Sequence, residues 1–404
     1  MITATDMSST VPPLDVVYED TVSRRNLLAC PQMVTVGRPR HDAWVTNQLL
    51  HDLAPVNVWS LQSRPRRYVF PIGLFHAPVH WTADPGPFSW LPRLVLDDAR
   101  AGKVLFIFDQ SQEGNADPAL WSWFHDHCRQ WQIDPCHVVY LTSDHLAERR
   151  YAEHRSNNQI SDGITVISSL FNLYILNTNM RHAVDIPKSE TVSAKPWLFN
   201  CLNRMLHQHR KWFFCKMLQA DLLSCGMVSM DRFTDIVPYP GMHEAVMPRA
   251  QALLPLVVDR SDFQVNMFAD LNTQIYRDSW FTVITETYVN DAQMLIGEKV
   301  FKPMMCFSPF FLLSTRGSLA RLRELGFKTF PMLWDESYDI IDDPAARMDA
   351  IIEQMLMISS IDDKAAWLSQ AESELAHNHR LAWQTWDHSR DYQNIVAIWQ
   401  DFLA

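Results

Sequence analysis

Residues 103–142 read KVLFIFDQSQEGNADPALWSWFHDHCRQWQIDPCHVVYLT, and this stretch decides the fold class. Residues 103–109 (KVLFIFD) are an almost unbroken run of β-branched, aliphatic and aromatic side chains of strand length, the pattern of a strand covered on both faces. Pro118 suits the first turn of a helix, where its missing N–H costs nothing. A helix over 118–131 follows, with Trp121, Phe124 and Trp131 as a core stripe. Residues 137–142 (HVVYLT) read as the next strand and 145–154 as helix. A strand, a crossover helix and a second strand imply a parallel sheet whose ligands bind at its carboxyl edge. Asp109 to Glu113 (DQSQE) lies at that edge.

The same grammar extends outward. Upstream, 44–54 reads as a short helix, and 56–60 and 67–75 as strands. Residues 155–194 are polar and irregular around one apolar segment, 164–175, and are expected to contain the connection between domains. A second α/β series then begins. It comprises a strand over 196–201, a helix over 210–223 stopped by Gly226, a strand over 227–230 and a helix over 248–258. A strand over 280–288, a helix over 298–306, a strand over 310–314 and a helix over 318–325 ended by Gly326 complete it. From Pro344 the chain is nearly all helical, over 344–359, 362–385 and 391–404. No internal repeat interrupts this order. The expectation is an α/β protein of two Rossmann-like domains, 1–190 and 191–385, with a cleft between them and a C-terminal helix, 386–404, packing back on the first.

Composition agrees. A chain of 404 residues suits two domains of roughly 150–200 residues each. It is 47% hydrophobic and 20% charged, enough for ample cores. No window holds the roughly 20 consecutive apolar residues of a membrane span, and the polar, acidic N-terminus does not read as a signal peptide. A soluble, cytoplasmic protein is expected. The seven cysteines form no CxxC pair and read as reduced thiols. A net charge of −11 argues against broad nucleic-acid binding. Two basic clusters, Arg38-Pro39-Arg40 and Arg64-Pro65-Arg66-Arg67, read either as solvated loop charge or as an acceptor-binding patch. With 11 glycines and neither GxGxxG nor GxxxxGK[ST], dinucleotide and P-loop sites are disfavoured. Phosphate binding here must rest on side chains and helix ends.

Two segments offer such groups. Residues 281–303, FTVITETYVNDAQMLIGEKVFKP, deliver Glu286 from a strand to a loop and then open a helix with Glu298 and Lys299 adjacent. A carboxylate accepts hydrogen bonds from a diol, while an ammonium and a helix N-terminus meet negative charge. Residues 199–210, FNCLNRMLHQHR, place Asn203, Arg204 and Arg210 around a strand-to-helix junction. Arginines there suit a diphosphate or an ordinary surface ion pair. Both segments sit at carboxyl ends of strands in one expected sheet, so their ligands would converge.

The succession Asn203-Arg204, His209-Arg210, Thr285-Glu286-Thr287-Tyr288, Gly297-Glu298-Lys299, Lys302-Pro303 and Pro309-Phe310 resembles the donor-binding half of fucosyltransferase-like GT-B glycosyltransferases, in the branch common in phage and bacterial genomes. It covers about 195–340, under half the chain. The resemblance implies that Arg210, with Arg204 as alternate, holds a nucleotide diphosphate. It further implies that Glu298 binds ribose hydroxyls and Lys299 a phosphate, with Glu286 and Tyr288 near the sugar or base. The family's F-E-N-S reads Thr-Glu-Thr-Tyr here, which leaves sugar and base open. Its T-E-K reads Gly297-Glu298-Lys299, where glycine permits close backbone approach. Direct, inverting transfer follows from the likeness, from a nucleotide sugar to an acceptor glycan, small molecule or modified nucleic-acid base.

Such a reaction needs a base for the acceptor hydroxyl. Glu113 and Asp109 are the candidates, each equally able to cap the 118–131 helix. No cofactor or metal is expected. No D-x-D occurs, and His125 and His127, two apart on a helix, face different directions. His76 with His80, and His207 with His209, are set aside as ligands too. Gly326–Phe330 through Trp334–Tyr338 reads as packing for the helical tail. The alternatives to a transferase are a nucleotide-sugar epimerase or phosphorylase on the same two-lobed fold, and a non-catalytic interaction protein. Oligomeric state is open.

Overall fold

The computed structural model describes residues 14–18, 56–60, 63–73, 88, 91–111, 114, 117–180, 185–187, 194–203, 205–258, 271–384 and 390–404. The helix expected over 44–54 and the arginines at 38 and 40 lie outside them. The chain divides into two compact units, Met1–Phe171 with Thr385–Ala404, and Asn172–Gln384.

The first unit is built on six parallel strands: β1 Leu14–Tyr18, β2 Val56–Ser60, β3 Tyr68–Gly73, β4 Val104–Gln110, β5 Val138–Thr142 and β6 Thr165–Ser168, ordered β2-β1-β3-β4-β5-β6. β4 and β5 are buried along their whole length, which is why KVLFIFD and HVVYLT carry no polar alternation. One face of β4 sends Phe106 and Phe108 into a cluster with Phe88, Trp121, Phe124 and Tyr140. Phe108 meets Phe124 edge-on at 5.2 Å. The crossover helix Leu120–Trp131 ends on Gln132 in the left-handed region, φ 57°, a common way to stop a helix.

The apolar segment 164–175 spans the boundary between the two units, which falls between Phe171 and Asn172. It is β6 followed by the helix Phe171–Met180. A four-residue edge strand with its first half only partly buried leaves too short an apolar signal to be separated from a loop.

The terminal helix Arg390–Leu403 belongs to this unit. At its last turn Arg67 donates to the Phe402 and Leu403 carbonyls at 2.7 and 2.5 Å, satisfying acceptors the helix cannot. Arg64 pairs with Asp98 at 2.5 Å. Two members of the second basic cluster are thus spent inside the unit. At the first turn the buried Asp391 carboxylate accepts from Ser169 Oγ at 2.9 Å and the Leu170 N–H at 2.8 Å. Burial pushes Asp391 up to about 6, against these two bonds and Arg390, with Glu148 adding to the rise. The folded state then holds its proton more tightly than the unfolded chain. Its stabilising share is complete below about pH 4 and is lost, by about 3 kcal/mol, as pH rises through about 6. In Asp391→Asn, which keeps an acceptor for Leu170, this fall should disappear from denaturant unfolding curves taken between pH 4 and 7. Equal slopes in both proteins would contradict it.

The second unit has four parallel strands, β7 Trp197–Leu202, β8 Gly226–Ser229, β9 Ser279–Thr285 and β10 Phe310–Leu313, ordered β10-β9-β7-β8. The chain winds outward from β7 to β8 and then from β9 to β10, so the order reverses between β7 and β9. Such a reversal opens a crevice at the carboxyl ends of the two strands. β9 is buried throughout. Trp334 stacks on Phe311 at 4.1 Å, with Phe281 and Trp367 beside it, so the 326–338 block packs the helical region on the sheet.

Three of the boundaries that differ from the sequence reading bear on packing. The first helix is Gln208–Gln219, and Gly226 is not its stop but the first residue of β8. A Cβ there would lie 2.4 Å from the Phe199 ring, so glycine is required by close packing. The helix expected over 248–258 is Val246–Leu253, ending two residues before Pro255, where the residue preceding a proline avoids the helical region. The 362–385 segment is two helices, Lys364–Ser369 and Glu372–Ala382.

Candidate functional site

The β7–β9 ladder runs Trp197↔Ser279, Phe199↔Phe281 and Asn200↔Thr282. Beyond it side chains span the gap. Buried Asn203, just past β7, gives its Nδ2–H to Cys201 Sγ at 3.3 Å and accepts with Oδ1 from Thr285 Oγ1, the last residue of β9. A polar strut therefore ties the two strand ends at the reversal point.

After Asn203 the chain turns into the helix Gln208–Gln219, whose N-cap His207 makes no side-chain cap. Its first N–H groups lack that usual partner. His209 and Arg210 occupy the first turn. Arg210 is 2% exposed. Its Nη1 donates to the Met205 carbonyl at 3.2 Å and its Nη2 to the Thr285 carbonyl at 3.0 Å, while Nε finds no protein partner. Its charge also lies within reach of Glu286 and Glu298. His209 Nε2 donates to the Glu286 carbonyl at 2.8 Å, which leaves Nδ1 as the acceptor nitrogen. Burial pushes His209 down to about 4, with Arg210, His207 and Lys299 adding to the fall against the bond to Glu286. The imidazole is neutral at pH 7.

Past β9, Glu286 is fully buried. One carboxylate oxygen accepts from the Gly297 N–H at 2.8 Å, the other from the Thr287 N–H at 3.2 Å. Gly297 is the N-cap of the helix Glu298–Met305, again without a side-chain cap. Lys299 Nζ stands 3.7 Å from Glu298 Oε1 and 3.9 Å from Glu286 Oε2. The two acids diverge. Burial raises Glu286, with Glu298 adding to the rise, against Lys299 and the Gly297 N–H. Burial also acts on Glu298, but Lys299, Lys302, its own helix N–H and Arg210 outweigh it and hold this carboxyl below its ordinary value. Glu298 is the ionised partner of Lys299.

Asn203, Arg210, Glu286, Glu298 and Lys299, drawn from two segments, are brought to one crevice edge by these contacts. Tyr288 lies two residues past Glu286, half-buried. Arg204 and Glu113 lie outside the described residues. In the first unit Asp109, near the carboxyl end of β4, is buried. It accepts from the Ser111 N–H at 3.0 Å and Ser111 Oγ at 2.6 Å, bonds that close its own turn. Asp117 serves near the start of the helix Leu120–Trp131, accepting from the Ala119 N–H. His125 meets Tyr151 Oη and His127 the Trp123 carbonyl, each at 2.9 Å. Among the described residues no group of three or more His, Cys, Asp or Glu side chains is placed to hold a metal, and no helix is long and apolar enough to cross a membrane.

Sequence reasoning found no role for His209 beyond standing next to Arg210 in the motif, and set it aside as a metal ligand. Its signal was position, one residue before an arginine in a helix's first turn. Gly297 was expected to admit a ligand. What approaches it is the Glu286 carboxylate, since a Cβ there would lie 2.9 Å from Oε1 and 3.1 Å from Oε2.

Fold and site together define an α/β protein of two parallel-sheet, Rossmann-like units. The second carries a charged crevice edge with two helix N-termini free of side-chain caps. No protein-family model and no curated protein matches the chain. Among solved structures it is similar to CalG4, the calicheamicin glycosyltransferase, with 12% sequence identity, 75% of this chain and 79% of that chain covered, and a TM-score of 0.30. So slight a similarity carries no argument about activity.

Proposed function

We propose that this chain is a glycosyltransferase moving a sugar from a nucleotide-sugar donor to an acceptor hydroxyl, by direct inverting transfer and without a metal ion. The observation that carries the reading is the cluster at the β7–β9 reversal. An ionised Glu298, a Lys299 held beside it and a buried Arg210 meet two helix N-termini that have no side-chain caps. That set matches a ligand with both a diol and a diphosphate. The resemblance of residues 195–340 to fucosyltransferase-like donor halves points the same way.

In this reading Glu298 accepts from the ribose hydroxyls and Lys299 meets a phosphate oxygen. As the bond from the anomeric carbon to the diphosphate breaks, negative charge grows on the departing oxygen. Lys299, the helix N–H groups and the Arg210 charge stabilise it. The acceptor oxygen attacks the opposite face, and its proton passes to a carboxylate. Glu113 and Asp109 are the two candidates, and Asp109 also accepts from Ser111. Tyr288 is assigned to the sugar or base. The acceptor is a glycan, small molecule or modified nucleic-acid base, and the reaction is assigned to the cytoplasm.

A thermal-shift panel of nucleoside diphosphates and nucleotide sugars tests this. At about 100 times Kd a ligand adds about 2.7 kcal/mol, so one member should raise the melting temperature by about 5–10 °C. Lys299→Met should weaken that member's binding by about 10- to 100-fold, the loss of one charge-assisted contact. If no member shifts the transition, the donor-site reading fails.

A further inference from the structure

We propose that Glu286 is a positioning residue that does not touch the ligand. It latches the Gly297 N–H and thereby fixes where Glu298 and Lys299 stand, and Gly297 must be glycine for the latch to close. The inference rests on the donor-site reading above and reassigns one of its acids.

The geometry carries it. Glu286 has no exposed surface, and each of its oxygens already accepts from a backbone N–H, of Gly297 and of Thr287. The Gly297 bond joins the end of β9 to the N-cap of the helix Glu298–Met305 and so closes the loop between them. Other contacts pin the same loop. Arg347 donates to the Val289 carbonyl at 3.3 Å, Thr315 Oγ1 to the Asn290 carbonyl at 2.9 Å, and Asn172 Nδ2 to the Ile296 carbonyl at 3.4 Å. Glu286 is the member of this set adjacent to the charged pair. The His209 bond to the Glu286 carbonyl fixes the acid's own backbone from the neighbouring segment.

The steric half is equally specific. A Cβ on Gly297 would meet both Glu286 oxygens closer than ordinary contact distance. The glycine's φ is −82°, a value any residue adopts, so the constraint is the carboxylate and not the backbone. An alanine would therefore push the latch open, and would be harmless once the carboxylate is gone.

The test combines amide hydrogen exchange with binding of UDP and GDP, measured by calorimetry on the full chain. In the free protein, Glu286→Ala should raise exchange of the Gly297 and Glu298 amides by at least tenfold. Glu286→Gln, which keeps an acceptor for the Gly297 N–H, should leave it within about threefold of wild type. Unchanged exchange in Glu286→Ala overturns the latch whether or not any nucleotide binds. For whichever nucleotide binds, Glu286→Ala and Gly297→Ala should each weaken affinity about tenfold and Glu286→Gln less than threefold. The double variant Glu286→Ala/Gly297→Ala should be no worse than Glu286→Ala alone. In a Lys299→Met background, Glu286→Ala should cost less than twofold. Additive losses in either pair overturn the inference. Binding of neither nucleotide by the wild type would count against a uridine- or guanosine-diphosphate donor, leaving the latch to be decided by exchange.

Discussion

Replacing Arg210 with methionine is expected to lower the stability of the second unit by roughly 3–5 kcal/mol and to weaken nucleoside diphosphate binding by more than tenfold. Methionine fills much of the volume but removes the two donors that satisfy the Met205 and Thr285 carbonyls. It also removes the cation that helps hold Glu298 ionised. Two buried acceptors and a less compensated carboxyl pair remain. For a unit of this size the loss corresponds to a fall of about 10 °C in melting temperature. Arg210→Lys should recover the charge but not the planar two-pronged reach, so it should recover binding more fully than stability. Calorimetric melting and titration of the three proteins check both effects. A methionine variant within about 2 °C of wild type with unchanged affinity would show Arg210 to be neither strut nor charge source.

Arg347→Met should be comparably damaging to folding and much less so to binding. Arg347 is 1% exposed, on the helix Pro344–Ser359. Its guanidinium donates to the Ile341 carbonyl at 3.1 and 2.7 Å, to Val289 at 3.3 Å and to the Ser314 carbonyl just past β10. Three chain segments at the carboxyl edge of the second sheet are thus hung on one side chain. Each carbonyl left without a donor costs about 1–3 kcal/mol, so a loss of roughly 3–5 kcal/mol is expected in chemical unfolding. The charged pair keeps its Glu286 latch, and nucleotide affinity at a temperature where the variant is folded should fall no more than about threefold. A larger loss would show that the loop is set from Arg347 rather than from Glu286.

What the sequence made legible follows from where the signals lie. KVLFIFD and HVVYLT declared themselves because strands covered on both faces need continuous apolar runs. The placement of Glu298 and Lys299 at a strand-to-helix junction followed from order alone. β6 was lost among polar neighbours because four residues carry too little pattern. Gly226 was misread because a glycine that ends a helix and one that makes room for a ring look the same in sequence. Only the Phe199 side chain, far away along the chain, separates them. The direction of Arg210 was hidden for a similar reason. The residue type suits a diphosphate, but its principal carbonyl partner, Thr285, belongs to another strand. Arg67 likewise reads as surface charge until the terminal helix, more than 300 residues later, brings its carbonyls to it.

In the proposed function the crevice edge between β7 and β9 binds a nucleoside diphosphate. A crystal structure of the protein soaked with the nucleotide giving the largest thermal shift tests it most directly. The diphosphate is expected at the N-termini of the helices Gln208–Gln219 and Glu298–Met305, with a phosphate oxygen about 3 Å from Lys299 Nζ and the ribose hydroxyls on Glu298. Nucleotide seated elsewhere, with Glu298 and Lys299 untouched, would contradict it.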